Sequence, residues 1–262
     1  MTEAVSKGDV RRAWLDEDEA NLSAARVAKH RLVEQVRRLV DAAFQVDCGD
    51  AGYEPADSRS DSGAGSDAGS DAGSDAADEA DTDRAARFMA LAAEAESLAD
   101  RISALPRIPR AEADGVNASL ARRHDTLLVE RSTINGRGNP LAPPVRMWAD
   151  GDVIRGEAYF TAPHEGPAGR VHGAWVAACF DEILGCAQGA SGAFGYTGTL
   201  TITLRRATPL YTKITYEAGF SHREGRKIHG WGRCYAEGRL TAEATGVFVI
   251  PASGRIGHGT RQ

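Results

Sequence analysis

The spacing of apolar positions changes character along this 262-residue chain. Leu32, Val36, Leu39, Ala43 and Val46 recur at alternating intervals of four and three, flanked by Arg31, Glu34, Arg37 and Arg38. That period predicts a helix over residues 8–46. Phe88, Leu91, Ala95, Leu98, Ile102 and Leu105 repeat in the same way and predict a second helix over 84–105, capped by Thr82 or Asp83 and stopped by Pro106 and Pro109. From about residue 120 the pattern turns to alternation. A short strand is predicted at 145–148, an Asp150-Gly151 turn follows, and a second strand covers 153–161. A helix with almost no polar face opens at His172-Gly173. Four more strands are predicted at 197–206, 214–222, 227–237 and 240–250, separated by Thr208-Pro209-Leu210, Glu224-Gly225 and Glu237-Gly238. Two strands, one buried helix and four strands fit an antiparallel sheet wrapped round a central helix, or a generic α+β sandwich.

Composition refines this picture in one region. Between the two N-terminal helices the unit Gly65-Ser66-Asp67-Ala68 recurs at 69–72 and 73–76. Such residues offer nothing to bury, so 47–83 is expected to be a disordered linker between an N-terminal helix (1–46) and a second helix (84–110), with the main domain at 120–255. The two helices are expected to form an antiparallel hairpin that packs on the main domain, on a partner subunit, or serves as a docking module.

The same linker hides the charge of the rest. Residues 47–83 hold twelve acidic side chains and one basic one, Arg59, against a net charge of −6 for the whole chain. Residues 120–262 hold 17 Lys and Arg against 12 Asp and Glu. A mildly basic domain suits a small polyanionic ligand and is too weakly charged to suggest nucleic acid. The four cysteines, Cys48, Cys179, Cys186 and Cys234, form no C-x-x-C pair and read as reduced and structural, with no metal implied. The sequence MTEAVSKGDVRRAW has no apolar signal region, and no long apolar run suggests a membrane span, so a cytoplasmic location is expected.

Chemistry concentrates in the apolar helix, which carries Asp181 and Glu182 side by side. A buried charge without a partner is costly, so a carboxylate pair there points to catalysis. The helix start supplies open N–H groups and the positive end of a dipole. At about 1.5 Å and 100° per residue, Asp181 lies about 13 Å along the helix and half a turn round from His172. One helix cannot easily bring both to one carbonyl, so the spacing argues for a site shared across a two-fold dimer. No G-x-S-x-G elbow supports a serine hydrolase.

From about 127 to 252 the chain resembles the PaaI-type acyl-CoA thioesterases of the hotdog-fold superfamily. The resemblance rests on Gly138-Asn139-Pro140-Leu141-Ala142-Pro143, Glu165-Gly166-Pro167, Val171-His172-Gly173-Ala174 with Asp181-Glu182, Thr197, Thr208-Pro209-Leu210, Glu224-Gly225-Arg226-Lys227 and the segment 242–249. One departure is Ala174, where the family often has a second glycine. The resemblance implies a hotdog domain with an N-terminal helical hairpin extension. It also implies hydrolysis of an acyl-CoA to free acid and coenzyme A without a cofactor, and a homodimer or dimer of dimers. Asp181 would be the base or nucleophile, Gly173 and Ala174 the oxyanion donors, and Thr197 a hydroxyl that orients water or the carboxylate. His172 would fix the turn or touch substrate, while Glu182 is expected at an interface or in helix pairing. Asn139 would contact the acyl group or fix its loop. Arg205, Arg206, Arg226 and Lys227 would face the coenzyme A phosphates. Trp175, Phe180, Phe194 and Trp231 would trim the acyl pocket or belong to the core. Alternatives are a non-catalytic acyl-CoA-binding regulator and a scaffold acting through its N-terminal helices.

Overall fold

The computed structural model describes residues 23–46, 72–106 and 132–252. Expectations for residues 1–22, Cys48, most of the linker and 107–131 lie outside them. Among these residues three α-helices, α1 (Ala24–Phe44), α2 (Ala72–Ser103) and α3 (Gly173–Ala187), accompany six strands. These are β1 (Val145–Asp150), β2 (Val153–Tyr159), β3 (Tyr196–Leu204), β4 (Lys213–Glu224), β5 (Lys227–Ala236) and β6 (Arg239–Val249). All six form one antiparallel sheet in the order β1-β2-β4-β5-β6-β3. The sheet embraces α3, giving the expected hotdog architecture. No helix among the described residues is long and apolar enough to cross a membrane.

The predicted turns carry the backbone conformations their residues allow. Gly151, Gly225 and Gly238 all have positive φ, at 58°, 55° and 73°. The helix fits into the sheet because glycines leave room beneath it. A Cβ at Gly232 would lie 3.0 Å from the Phe180 ring, and one at Gly230 would lie 3.2 Å from Leu184 Cδ2. Phe180 meets Tyr216 edge-on at 5.4 Å, and Val176, Cys179, Ile183 and Leu184 complete the inner face of α3. The three described cysteines are buried and are not in a disulfide. Burial pushes the Cys234 thiol up to about 11, so at neutral pH it is an inert core group.

Gly195 fixes where β3 begins. A Cβ there would stand 2.6 Å from the Val249 carbonyl carbon and 2.8 Å from its nitrogen, all backbone that cannot swing aside. Its N–H donates to Gln188 Oε1 at 2.7 Å. Gly195→Ala is therefore expected to destabilise the domain by about 1–3 kcal/mol through overpacking, read as a lowered Tm. An unchanged Tm would show that the β3–β6 junction yields freely.

The N-terminal helices depart from the sequence reading. Ser23 caps α1, its hydroxyl accepting the Arg26 N–H at 3.3 Å. The seam Leu39–Val46 is exposed, whereas His30 and Val33 are buried. A polar clamp selects that face: Arg37 donates to the carbonyls of Gly136 (2.8 Å), Asn139 (2.8 Å) and Ala142 (3.0 Å). α2 starts at Ala72 rather than 84, inside the stretch expected to be linker, so Thr82 and Asp83 lie within it. The sequence has alanine at 72, 76, 77 and 80, the residue of highest helix propensity. The chain divides into two compact units, Val46–Arg110 and the remainder, and α1 belongs with the sheet.

Candidate active site

The first turn of α3 is built by its own cap. His172 has extended backbone (φ −60°, ψ 133°), and its Nδ1 accepts the Ala174 N–H at 3.1 Å. Its carbonyl accepts the Trp175 N–H at 3.0 Å, and its own N–H donates to the His164 carbonyl at 2.9 Å. Gly166 lets this turn close, since a Cβ there would be 2.9 Å from His172 Cα. Two expectations are sharpened. His172 acts locally as the helix cap, and of the two backbone donors placed at this turn, Ala174 is occupied by the imidazole. Gly173 N–H is left without a partner among the described residues. A donor at the head of a helix, aided by its dipole, is suited to a carbonyl oxygen that gains negative charge.

Asp181 is not buried, contrary to the expectation from the apolar helix. It shares the outer strip of α3 with exposed Ala174 and half-buried Ala177, Ala178 and Gly185. Its Oδ1 accepts the Thr197 hydroxyl at 2.8 Å. This contact depends on an irregularity that strand alternation conceals. Thr197 pairs with Phe248 while Thr199 pairs with Val247, so Gly198 is an extra residue in β3. In a regular strand Thr197 would share a face with Thr199, Thr201 and Thr203. The bulge moves it to the helix-facing side, where it reaches Asp181.

Glu182 points elsewhere and accepts the Ser132 hydroxyl at 3.0 Å. Burial holds its carboxyl above the usual glutamate range, the Ser132 hydrogen bond opposes the rise, and the Asp181 charge adds to it. A carboxyl with a raised folded pKa binds its proton more tightly folded than unfolded. Stability is therefore lost as pH climbs from the ordinary glutamate range through the raised value. Glu182→Gln, which can still accept from Ser132, is expected to flatten that slope in Tm measurements between about pH 4 and 8. An unchanged slope would assign it to other groups. The two adjacent carboxylates thus have separate partners, and the buried pair inferred from the sequence is not formed.

Several remaining candidates are fixed in other ways. The Asn139 side chain holds its loop: Nδ2 donates to the Ser132 carbonyl at 3.1 Å, and Oδ1 accepts the Leu141 N–H at 3.0 Å. Both ends are occupied, which argues against acyl contact. Arg205 pairs with Glu243, Arg206 donates to the Leu240 carbonyl at 3.1 Å, and Arg226 donates to the Ile250 carbonyl at 3.3 Å. Lys227 opens β5 opposite Val249. Arg205 and Arg206 follow the last residue of β3, whereas Lys227 lies across β6 from its first, with Arg226 next to it, so the four cations form two separate pairs within one chain. Phe180 is core, and Trp231 lies under the Arg233 guanidinium (5.2 Å), lining a small recess with Thr201, Thr203 and Thr245. Trp175 instead meets His164 edge-on at 5.0 Å. His164 escaped the sequence reading. It is buried, accepts the Thr161 N–H through Nδ1 at 3.1 Å, and has its pKa lowered chiefly by desolvation.

Among solved structures, the chain is similar to a thioesterase superfamily protein at 25% identity and a TM-score of 0.60, over 84% of this chain and 94% of that one. Zebra fish thioesterase superfamily member 2 matches at 16% identity and a TM-score of 0.42, over 48% of this chain and 92% of its own. A hypothetical thioesterase from Streptococcus pneumoniae, solved with coenzyme A, matches at 18% identity and a TM-score of 0.38, over 40% of this chain and 87% of its own. Neither a family model nor a curated protein matches.

Proposed function

From a chain that has the hotdog fold of the thioesterase superfamily, we propose an acyl-CoA thioesterase whose active site is completed by a second copy. The observation that carries the reading is the placement of two half-sites at opposite ends of one open strand. β3 is a sheet edge, and its Tyr196 and Leu204 are 55% and 57% exposed. At its end, Leu204 Cδ1 lies 3.3 Å from where a Gly173 Cβ would be, so the open donor sits there. At its start, Thr197 holds Asp181. A two-fold axis through Thr201 pairs β3 antiparallel with its copy, sets Leu200 opposite Ile202 and, counting the extra residue Gly198, sets Thr197 opposite Leu204. Each Gly173 N–H then faces the Asp181 of the other protomer. The same operation brings Arg205 and Arg206 together with Arg226 and Lys227 of the copy, so both cationic pairs flank one mouth. Coenzyme A phosphates fit such a rim.

In that site the thioester carbonyl oxygen accepts the Gly173 N–H. Asp181, oriented by Thr197, either removes a proton from the attacking water or attacks the carbonyl carbon to form an anhydride that water opens. The C–S bond breaks, the sulfur leaves as thiolate and takes a proton, and free acid is released. Thiol release measured over a panel of acyl-CoAs tests the reading, and wild type is expected to liberate coenzyme A. No release from any member defeats it, and saturable binding without release would make the protein an acyl-CoA-binding regulator instead.

A further inference from the structure

A cavity of about 1050 Å³ separates α1 from the sheet and the first turn of α3. Small-molecule sites commonly measure about 300–1,000 Å³, so this volume lies at the upper end of that class. Trp175 and His164 line one side, Val145 and Pro163 add apolar wall, and α1 contributes residues from Val27 to Asp41. Fourteen helical steps correspond to about 21 Å, so the space is elongated. Trp175 lies two residues beyond Gly173, which puts the cavity beside the proposed oxyanion donor.

Its charge is uneven. Five arginines, Arg31, Arg37, Arg38, Arg137 and Arg146, line it with only two carboxylates, Glu34 and Asp41. Arg37 is consumed by three loop carbonyls and anchors α1. Arg38 donates to Gln35 Oε1 at 2.9 Å, and Asp41 accepts the Gln45 amide at 3.0 Å. The Arg31 guanidinium has no partner among the described residues. His164, with its pKa lowered by burial, contributes an aromatic surface rather than charge.

We propose that this cavity receives the acyl group of the thioester and selects chains that end in a carboxylate, with Arg31 as the recognition residue. The inference rests on the thioesterase reading and adds the substrate class. An apolar chain packs against Trp175 and Val145, and a distal carboxylate replaces water on Arg31 with a charge-assisted hydrogen bond. α1 is thereby a specificity wall, held in place by Arg37.

The test compares kcat/KM for a medium-chain ω-carboxyacyl-CoA with that for the acyl-CoA of equal length lacking the carboxylate. Wild type is expected to favour the carboxylated substrate by about ten-fold or more, and Arg31→Ala to bring the ratio near one through KM rather than kcat. Arg31→Lys is expected to restore part of the preference. Arg31 is exposed, so an unchanged Tm certifies that each variant folds. Equal rates on the two substrates, or a ratio insensitive to Arg31→Ala, overturn the inference while the thioesterase reading stands. If no acyl-CoA is hydrolysed, the thioesterase reading fails, and calorimetric titration with a free medium-chain dicarboxylate decides the cavity. Binding that Arg31→Ala weakens about ten-fold supports the carboxylate site, and no binding, or equal binding of the monocarboxylate, overturns it.

Discussion

Asp181→Asn is expected to lower kcat for thiol release by about two to four orders of magnitude, the range contributed by a positioned base. The substitution keeps the shape of the side chain and an oxygen able to accept the Thr197 hydroxyl, now at 2.8 Å. What it removes is the negative charge that, in the proposed mechanism, takes a proton from water or attacks the carbonyl carbon. Asp181 is exposed in the single chain, so its loss should leave Tm near that of wild type. That combination separates chemistry from folding. Thr197→Val, which leaves the carboxylate in place without its hydroxyl partner, is expected to reduce kcat by a smaller factor. Full activity in Asp181→Asn would remove this residue from the mechanism.

The second prediction concerns the oxyanion donor and the sharing of the site. His172 is the N-cap, so Gly173 occupies the first helical position, where proline is tolerated and only the N–H is lost. His172 already has the extended backbone that precedes proline. The neighbouring Leu204 Cδ1 at 3.3 Å is the end of a flexible side chain that can shift by a few tenths of an ångström. Gly173→Pro is therefore expected to lower kcat by about two to three orders of magnitude with little change in Tm. Gly173→Ala, which keeps the N–H, should lose much less. Gly173→Pro and Asp181→Asn chains refolded together provide the decisive comparison. If each site takes Gly173 from one protomer and Asp181 from its copy, a mixed dimer contains one site with both groups intact. An equal mixture should then recover about a quarter of the wild-type rate. A site formed within one chain would recover nothing, and that result would defeat the shared arrangement.

Much of the fold was legible in the sequence, because the residues involved obey local rules. The period-two pattern located all six strands to within a few residues, since half-buried strands must alternate. Positive-φ glycines at Gly151, Gly225 and Gly238 terminated the hairpins where the turn residues placed them. The apolar run around Phe180 identified the central helix. Other features were hidden. The heptad-like spacing from Leu32 to Val46 suggested the packed face of α1, yet the arginine clamp at Arg37 decided it. The Asn139 side chain could serve either substrate or loop on sequence grounds, and its hydrogen bonds to the Ser132 carbonyl and the Leu141 N–H appear only on folding.

The sequence by itself determined the order of elements, the His172-Gly173 start of α3 and the identity of the two neighbouring carboxylates. Those features follow from periodicity, turn chemistry and the fixed rise of a helix. Only the tertiary structure decided how the carboxylates divide their roles, because Asp181 and Glu182 find partners at Thr197 and Ser132, far from them in the chain. It also decided that Thr197 faces the helix, since one extra residue at Gly198 reverses the side-chain alternation without altering the composition of β3. The cavity beneath α1 belongs to the same category. Its lining comes from segments remote in sequence, and no local pattern records the space between surfaces that meet only after folding.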